Sequence, residues 1–198
     1  MQLSVGTDKN FNAYQGFDIF PPQGQVGPEP SAFPKIYRLL KGTIMKDLNK
    51  MVANDLSIEE DLVRPWAMVG RQNNTIRPDV PMSLPNLTIE EACNKLQSKV
   101  PFRMWFESTS RNASGEPDWI DTQTLTNANA STKPILLFLK HFDAEKQTLT
   151  GQGHIYIGKH KKIAELGAVI LERMGWEAGV TLKLYEVGMP FTHYTCQY

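Results

Sequence analysis

Apolar residues recur along this chain at two spacings, and the spacings divide it into strands and helices. Leu3 and Val5 alternate with polar neighbours, the period of a half-buried strand, and Ile36-Tyr37-Arg38-Leu39-Leu40 predicts a second strand within 35–41. Ile44, Met45, Leu48, Met51, Val52 and Leu56 lie three or four residues apart, so they form one stripe on an amphipathic helix, with Thr43 as its expected N-cap. The segment 62–68 reads as a strand at an edge or a bulge, because Pro65 has no amide to give to a ladder. Thr88 and Glu91 make a capping box for a short helix over 87–96, and the aromatic run 102–106 is a further strand.

The second half repeats the pattern. Residues 134–140 are a continuous apolar run, which predicts a strand buried on both faces, and 154–158 pairs back on it after a turn over 143–153. Ile163, Leu166, Val169, Ile170 and Met174 form the stripe of a helix that Gly175 ends, and 180–187 alternates as a third strand. Two stretches break the periodicity. Residues 6–34, rich in Gly, Asn and Pro, predict a long surface excursion, and 109–132, rich in Ser, Thr and Asn, predict a solvated polar linker.

Met45, Leu48, Val52, Leu56, Ile58 and Trp66 have the same spacing as Ile163, Leu166, Ile170, Met174, Trp176 and Leu184, so the chain holds two copies of one supersecondary unit. Each copy reads as a hairpin, a crossing helix and a returning strand, which is the start of a β-grasp with its first and last strands parallel. The expected architecture is α+β, with two tandem ubiquitin-like β-grasp modules. The first spans 1–108 with the insertion near 6–34, the linker spans 109–132, and the second spans 133–198 and is incomplete, with a divergent tail at 188–198. That tail could complete the second sheet by running Tyr194, Cys196 and Tyr198 antiparallel to 180–187.

Composition narrows the function. With 41% hydrophobic and 21% charged residues the chain is foldable, and 21 basic against 21 acidic side chains leave no net field for nucleic acid or an anionic membrane. No apolar stretch reaches the length of a membrane span, and the start lacks the pattern of a signal peptide. Four Asn-x-Ser/Thr sequons, at Asn73, Asn86, Asn112 and Asn129, are therefore read as chance. Two cysteines, Cys93 and Cys196, form neither a metal pair nor a disulfide framework, which suits a reducing compartment, and the expected location is nucleus and cytoplasm.

Tyr37-Arg-Leu-Leu-Lys41, Leu62-Val-Arg-Pro-Trp66-Ala-Met68 with Arg71 and Arg77-Pro78, Leu136-Leu-Phe-Leu-Lys140, Gly153-His-Ile-Tyr156 and Leu184-Tyr-Glu186 together resemble the herpesvirus-associated ubiquitin-specific protease family and its fungal members. The resemblance implies the first two ubiquitin-like modules that follow the family's thiol-protease domain, a region named for binding a viral regulatory protein. It implies protein partners, either substrates or regulators of a deubiquitinase, with lysine-rich segments among them. The family's acidic partner-binding stretch would follow Val187, where this sequence departs from the pattern.

No catalytic residue, cofactor or metal is predicted, and the chain is expected to be a monomer. Cys93 with His154 or His160 as base would make a nucleophile, but the histidines lie in the other copy, and a structural thiol is the simpler reading. His141, His154 and His160 lack zinc-ligand spacing and read as strand-end and loop histidines. Trp66 and Trp105 are expected in a core. Partner contact falls instead to Trp119 in the polar linker, as an interdomain or partner anchor, and to Lys159, Lys161 and Lys162, a basic cluster opposing a helix dipole. The rival readings are a free-standing truncated ubiquitin-like adaptor and, third, a small enzyme built on Cys93.

Overall fold

A computed structural model describes residues 1–22, 29–71, 75–95, 103–126, 134–177 and 179–185. The fold is α+β. Five strands, β1 (Gln2–Thr7), β2 (Lys35–Arg38), β3 (Val63–Gly70), β4 (Ile76–Pro81) and β5 (Arg103–Ser108), form a mixed sheet in the order β2-β1-β5-β3-β4. β1 runs antiparallel to β2 and parallel to β5, and β3 lies antiparallel between β5 and β4. A separate two-stranded sheet pairs β6 (Pro134–Asp143) with β7 (Thr148–Gly158).

Both faces of the large sheet are covered, which is why the first six residues of β3 and the first five of β5 are buried without interruption. On one face the stripe of α2 (Met45–Leu56) inserts Met45, Leu48 and Val52 among Leu3, Val5, Ala67, Met104 and Phe106. Burying each of those large side chains contributes roughly 1.5–3 kcal/mol, so packing holds this helix more than propensity does. Its N-cap is Ile44, not Thr43, and no side chain caps it. The first amides instead reach backbone carbonyls, Met45 N to Leu87 O at 2.9 Å and Lys46 N to Pro85 O at 3.0 Å, which satisfies the end without a hydroxyl. The expected capping box of α3 (Ile89–Lys95) is present, with Thr88 and Glu91 bonded reciprocally.

The opposite face corrects the reading of the early insertion as a surface excursion. Its described part folds back: α1 (Asp8–Ala13) and the residues after it bury Phe11, Ile19 and Phe20 against Trp66, Met68 and Trp105. A few large apolar anchors outweigh the Gly/Pro composition, and Gly6 is needed under them because a Cβ there would overlap the Phe20 ring. Residues 109–126, expected as solvated linker, are likewise folded, with α4 (Thr122–Thr126) seating Leu125 in the same cluster. Pro65 sits in an interior strand and not at an edge. Its carbonyl accepts from Met82 N at 2.8 Å and the β3–β4 register shifts between Trp66 and Met68, so the missing amide falls where β4 ends.

In the second half, α5 (Ile163–Met174) has the same length as α2, 12 residues, and each helix ends on a left-handed residue, Ser57 at φ 57° and Gly175 at φ 64°. The packing differs. The described side chains of the α5 stripe are only partly covered, and β6 is not buried on both faces, since Ile135 and Phe142 are 42% and 56% exposed. A two-stranded sheet has too little surface to do for α5 what five strands do for α2. The turn between β6 and β7 is also tighter than expected, with β7 beginning at Thr148. Of the strand expected over 180–187, the described residues up to 185 hold a single bridge position, at Leu184, and no continuous strand. In the first copy β3 bonds only to β4 and β5, never to the hairpin, so the matching segment here lacks its neighbours among the described residues. The proposed tail strand at 188–198 lies outside them.

β7 approaches α1 so closely that a Cβ on Gly151 would lie 2.5 Å from Phe11 O and 2.7 Å from Asn12 Cα. Gly151→Ala is therefore expected to lower stability by about 1–3 kcal/mol in urea denaturation, since backbone cannot yield as a side chain would. Gly167→Ala, in mid-helix with nothing within 4 Å of its Cβ position, is expected to raise it by about 0.5–1 kcal/mol.

Candidate functional site

Where the hairpin β6–β7 lies on the large sheet, a polar cluster is sealed inside an aromatic one. Arg64 and Glu107 are direct cross-strand partners in β3 and β5, as are Trp66 and Trp105. Strand alternation sends all four to the face that meets the hairpin. From the hairpin come Leu136 and Phe138 on β6, and His154 and Tyr156, two residues apart on β7. Phe138 and His154 both sit edge-on to Trp105, at ring-centroid distances of 5.0 and 4.9 Å.

Glu107, 3% exposed, is the hub. Its Oε2 accepts from Arg64 Nε (3.0 Å), Arg64 Nη2 (2.8 Å) and Trp66 Nε1 (2.8 Å), and its Oε1 accepts from Tyr156 Oη (2.7 Å) and meets His154 Nε2 at 3.1 Å. The other imidazole nitrogen, Nδ1, lies 2.7 Å from Asp8 Oδ2 on α1. Arg64 also donates to Ile120 O at 2.7 Å, and its guanidinium stacks on Trp119 at 4.5 Å.

Burial alone would raise the Glu107 carboxyl, but the His154 hydrogen bond, the Arg64 charge and the Tyr156 and Trp66 bonds together hold it below the usual range. Burial works against the His154 cation as well, yet its two carboxylate partners prevail and lift it to about 9. At neutral pH the ring is an imidazolium that donates from both nitrogens, and the two carboxylates are balanced by Arg64 and His154. The Tyr156 hydroxyl is pushed up by burial and by the Glu107 charge, so it stays neutral, donating to Glu107 and accepting from Arg64 Nη2 at 3.3 Å.

A second contact lies beside the first. Lys140 of β6 donates to Tyr14 O at 2.7 Å and sits over the rings of Phe11 (4.7 Å) and Tyr14 (4.8 Å). Burial brings its ammonium down to about 8, with Asp18 partly opposing and Arg77 adding to the shift. The arrangement joins two pieces of chain; among the described residues no group of three His, Cys, Asp or Glu side chains is placed to hold a metal ion.

The residues singled out from sequence are scattered around this seam. Trp119 is half-buried and turned inward, its Nε1 donating to Asp61 O at 3.0 Å and its ring under Arg64, so it braces the hub from behind. Lys159, Lys161 and Lys162 are exposed at the turn into α5, where Lys161 pairs with Glu165. Cys93 is buried in the α2 side of the core, far in the fold from the histidines on the opposite face. His160 is exposed, and His141 meets Trp176 edge-to-face. His154 is no strand-end histidine: it lies in mid-strand under two carboxylates. Asp8, Arg64, Glu107 and Tyr156 were not singled out as site residues. The available signal was the lone charge of β3, the acid that follows three large apolar residues in β5, and the His-x-Tyr spacing that puts 154 and 156 on one face.

The family whose model matches is the ICP0-binding domain of ubiquitin-specific protease 7, over residues 63–193, and the chain belongs to that family. Similar proteins include ubiquitin carboxyl-terminal hydrolase 15 of Schizosaccharomyces pombe, 26% identical over 93% of this chain and 16% of the relative. Ubiquitin carboxyl-terminal hydrolase 5 of the same yeast is 26% identical, and ubiquitin C-terminal hydrolase 12 of Arabidopsis thaliana 25%, each over 76% of this chain and 13% of the relative. The chain thus spans about a sixth or less of the length of these relatives. The matched region is a binding domain, and these 198 residues do not carry the hydrolases' catalytic domain.

Two predictions follow from the hub. Glu107→Ala leaves Arg64 buried without its partner and is expected to cost about 3–5 kcal/mol in chemical denaturation, more than Glu59→Ala at the exposed Arg111 pair. In the pH profile, the His154 contribution is complete below its ordinary value of 6.5 and is lost as pH rises through about 9. The Lys140 contribution has the reverse sense, absent below about 8 and complete above 10.5. Urea midpoints should fall from pH 6.5 to about 8, stay level to about 9 and rise from there to 10.5, and His154→Gln should remove the fall.

Proposed function

We propose that this chain is a non-catalytic docking region of a ubiquitin carboxyl-terminal hydrolase, built as two tandem ubiquitin-like β-grasp units of which the second is partial. The strand order β2-β1-β5-β3-β4 with a parallel β1–β5 pair and a crossing α2 supports the first unit, and the matched length and C-cap of α2 and α5 support the second. The unit boundaries near 108 and 133 follow the same logic, although residues 109–126 fold onto the first sheet.

One observation carries the docking reading. The match to a binding domain runs from Val63 in β3 to beyond α5, so it crosses from the first sheet through the seam into the second hairpin and helix. The unit of recognition is then the seam-joined pair, and a partner reads a surface that both pieces define. The exposed Lys159 and Lys162 side chains at the start of α5 are the contact we assign to that surface, with an acidic segment of a protein partner as their complement. The chain acts as a monomer in nucleus and cytoplasm, and the partner's processing belongs to a catalytic domain elsewhere in the polypeptide.

Fluorescence anisotropy with labelled peptides tests this. An acidic peptide is expected to bind the chain, with affinity falling about tenfold in the Lys159→Glu, Lys162→Glu double variant and falling again as salt rises. Preference for a lysine-rich peptide, or acidic-peptide binding unchanged by the double variant, would overturn the assigned contact.

A further inference from the structure

We propose that the seam is a proton-held latch: hairpin β6–β7 stays clamped on the large sheet while His154 carries its proton, and swings away as a unit when the proton is lost, uncovering Trp66 and Trp105.

Three observations carry this. The hairpin shares no strand ladder with the large sheet among the described residues, so it is attached through side chains and isolated bonds such as Gly153 N to Asn12 Oδ1 at 2.7 Å. It keeps its own ladder of nine paired positions, from Pro134↔Gly158 to Asp143↔Thr148, and can move without breaking it. Finally, the imidazole is the one member of the seam that touches both carboxylates, Asp8 from α1 and Glu107 from β5.

A neutral imidazole has one donor and one acceptor, so after deprotonation one carboxylate must face a nitrogen lone pair. The remaining charged neighbours do not repair this. Arg64 on β3 already bonds Glu107, Lys140 on β6 is held by Tyr14 O, and Arg173 on α5 donates to Gln152 O at 2.7 Å. Asp8 Oδ1 is buried with no hydrogen-bond partner, so the Asp8 carboxylate depends on His154. Tyr156, on the same strand face, stays neutral and adds no charge. Arg77 pairs with Asp18 beside Lys140, one step removed from the ring. The two-carboxylate cup holds an imidazolium and rejects an imidazole. The shift of His154 to about 9 agrees with the geometry.

The test uses the full chain. The His154 ring is followed by NMR from about pH 6 to about pH 10.5, alongside small-angle scattering, far-ultraviolet circular dichroism and exchange of the Trp105 indole proton. The expected result is a ring that titrates near 9, an opening constant rising about tenfold per pH unit between 6.5 and about 8, above which loss of the Lys140 proton offsets the rise, a larger radius of gyration at about pH 8 than at about pH 6 and unchanged secondary structure. His154→Gln is expected to be open already at neutral pH and insensitive to pH in this window. A ring titrating near 6.5, a constant radius across the titration, or secondary structure lost together with the seam would each overturn the latch, and so would a closed His154→Gln. Should that variant fail to fold, the titration of the unmodified chain decides alone.

Discussion

Everything on the covered face of the large sheet is arranged around one carboxylate that water does not reach. A buried Glu107 is tolerable only because five hydrogen bonds converge on it, from two nitrogens of Arg64 and one group each of Trp66, Tyr156 and His154. Those donors come from two strands, β3 and β7, in two different sheets, so satisfying the charge fixes how the sheets meet. Apolar contact between Trp105 and Phe138 supplies adhesion but tolerates sliding. The ion cluster tolerates one register only, which is the role best attested for buried polar groups in otherwise apolar interfaces.

The same constraint orders the parts around it. α1 must lie beside β7 to bring Asp8 to the imidazole, and only glycine at 151 lets the two backbones come that close. The insertion between β1 and β2 lines the sheet so that the hub is dry, with Arg103 held by Pro21 O at 2.9 Å and Asp18 bonded to Arg77. Trp119, drawn from a segment whose composition looks like a linker, closes the far side of Arg64. The family match begins at Val63 and takes in Arg64, Glu107, His154 and Tyr156, so the seam lies almost wholly inside the matched region.

How much of this the sequence disclosed depended on whether the signal was periodic. The α2 stripe, the Thr88–Glu91 box, the αL cap at Gly175 and the parallel closure of the first unit follow from local spacing or from the repeat, and the structure has them. The seam is built from singletons. Arg64 and His154 are the single charged residues of β3 and β7, and Glu107 shares β5 only with Arg103, so alternation tells which face each occupies but not what stands opposite. Composition misled twice in the same sense: Phe11, Ile19 and Phe20 are too sparse to show a period, yet they bury a sheet face. The opposite error arose at 134–140, where a dense apolar run belongs to a hairpin with one face still partly open.

That the two sheets are joined without a common ladder has a mechanical meaning. Load applied along the large sheet must shear the parallel β1–β5 pair, in which many backbone bonds resist together. Load applied across the seam meets side-chain contacts and isolated bonds, which yield in sequence as a zip does. The molecule is therefore two stiff bodies in series with a brittle joint, and strain arriving from a neighbouring part of a longer polypeptide will be concentrated at Glu107 and His154 before it reaches either sheet.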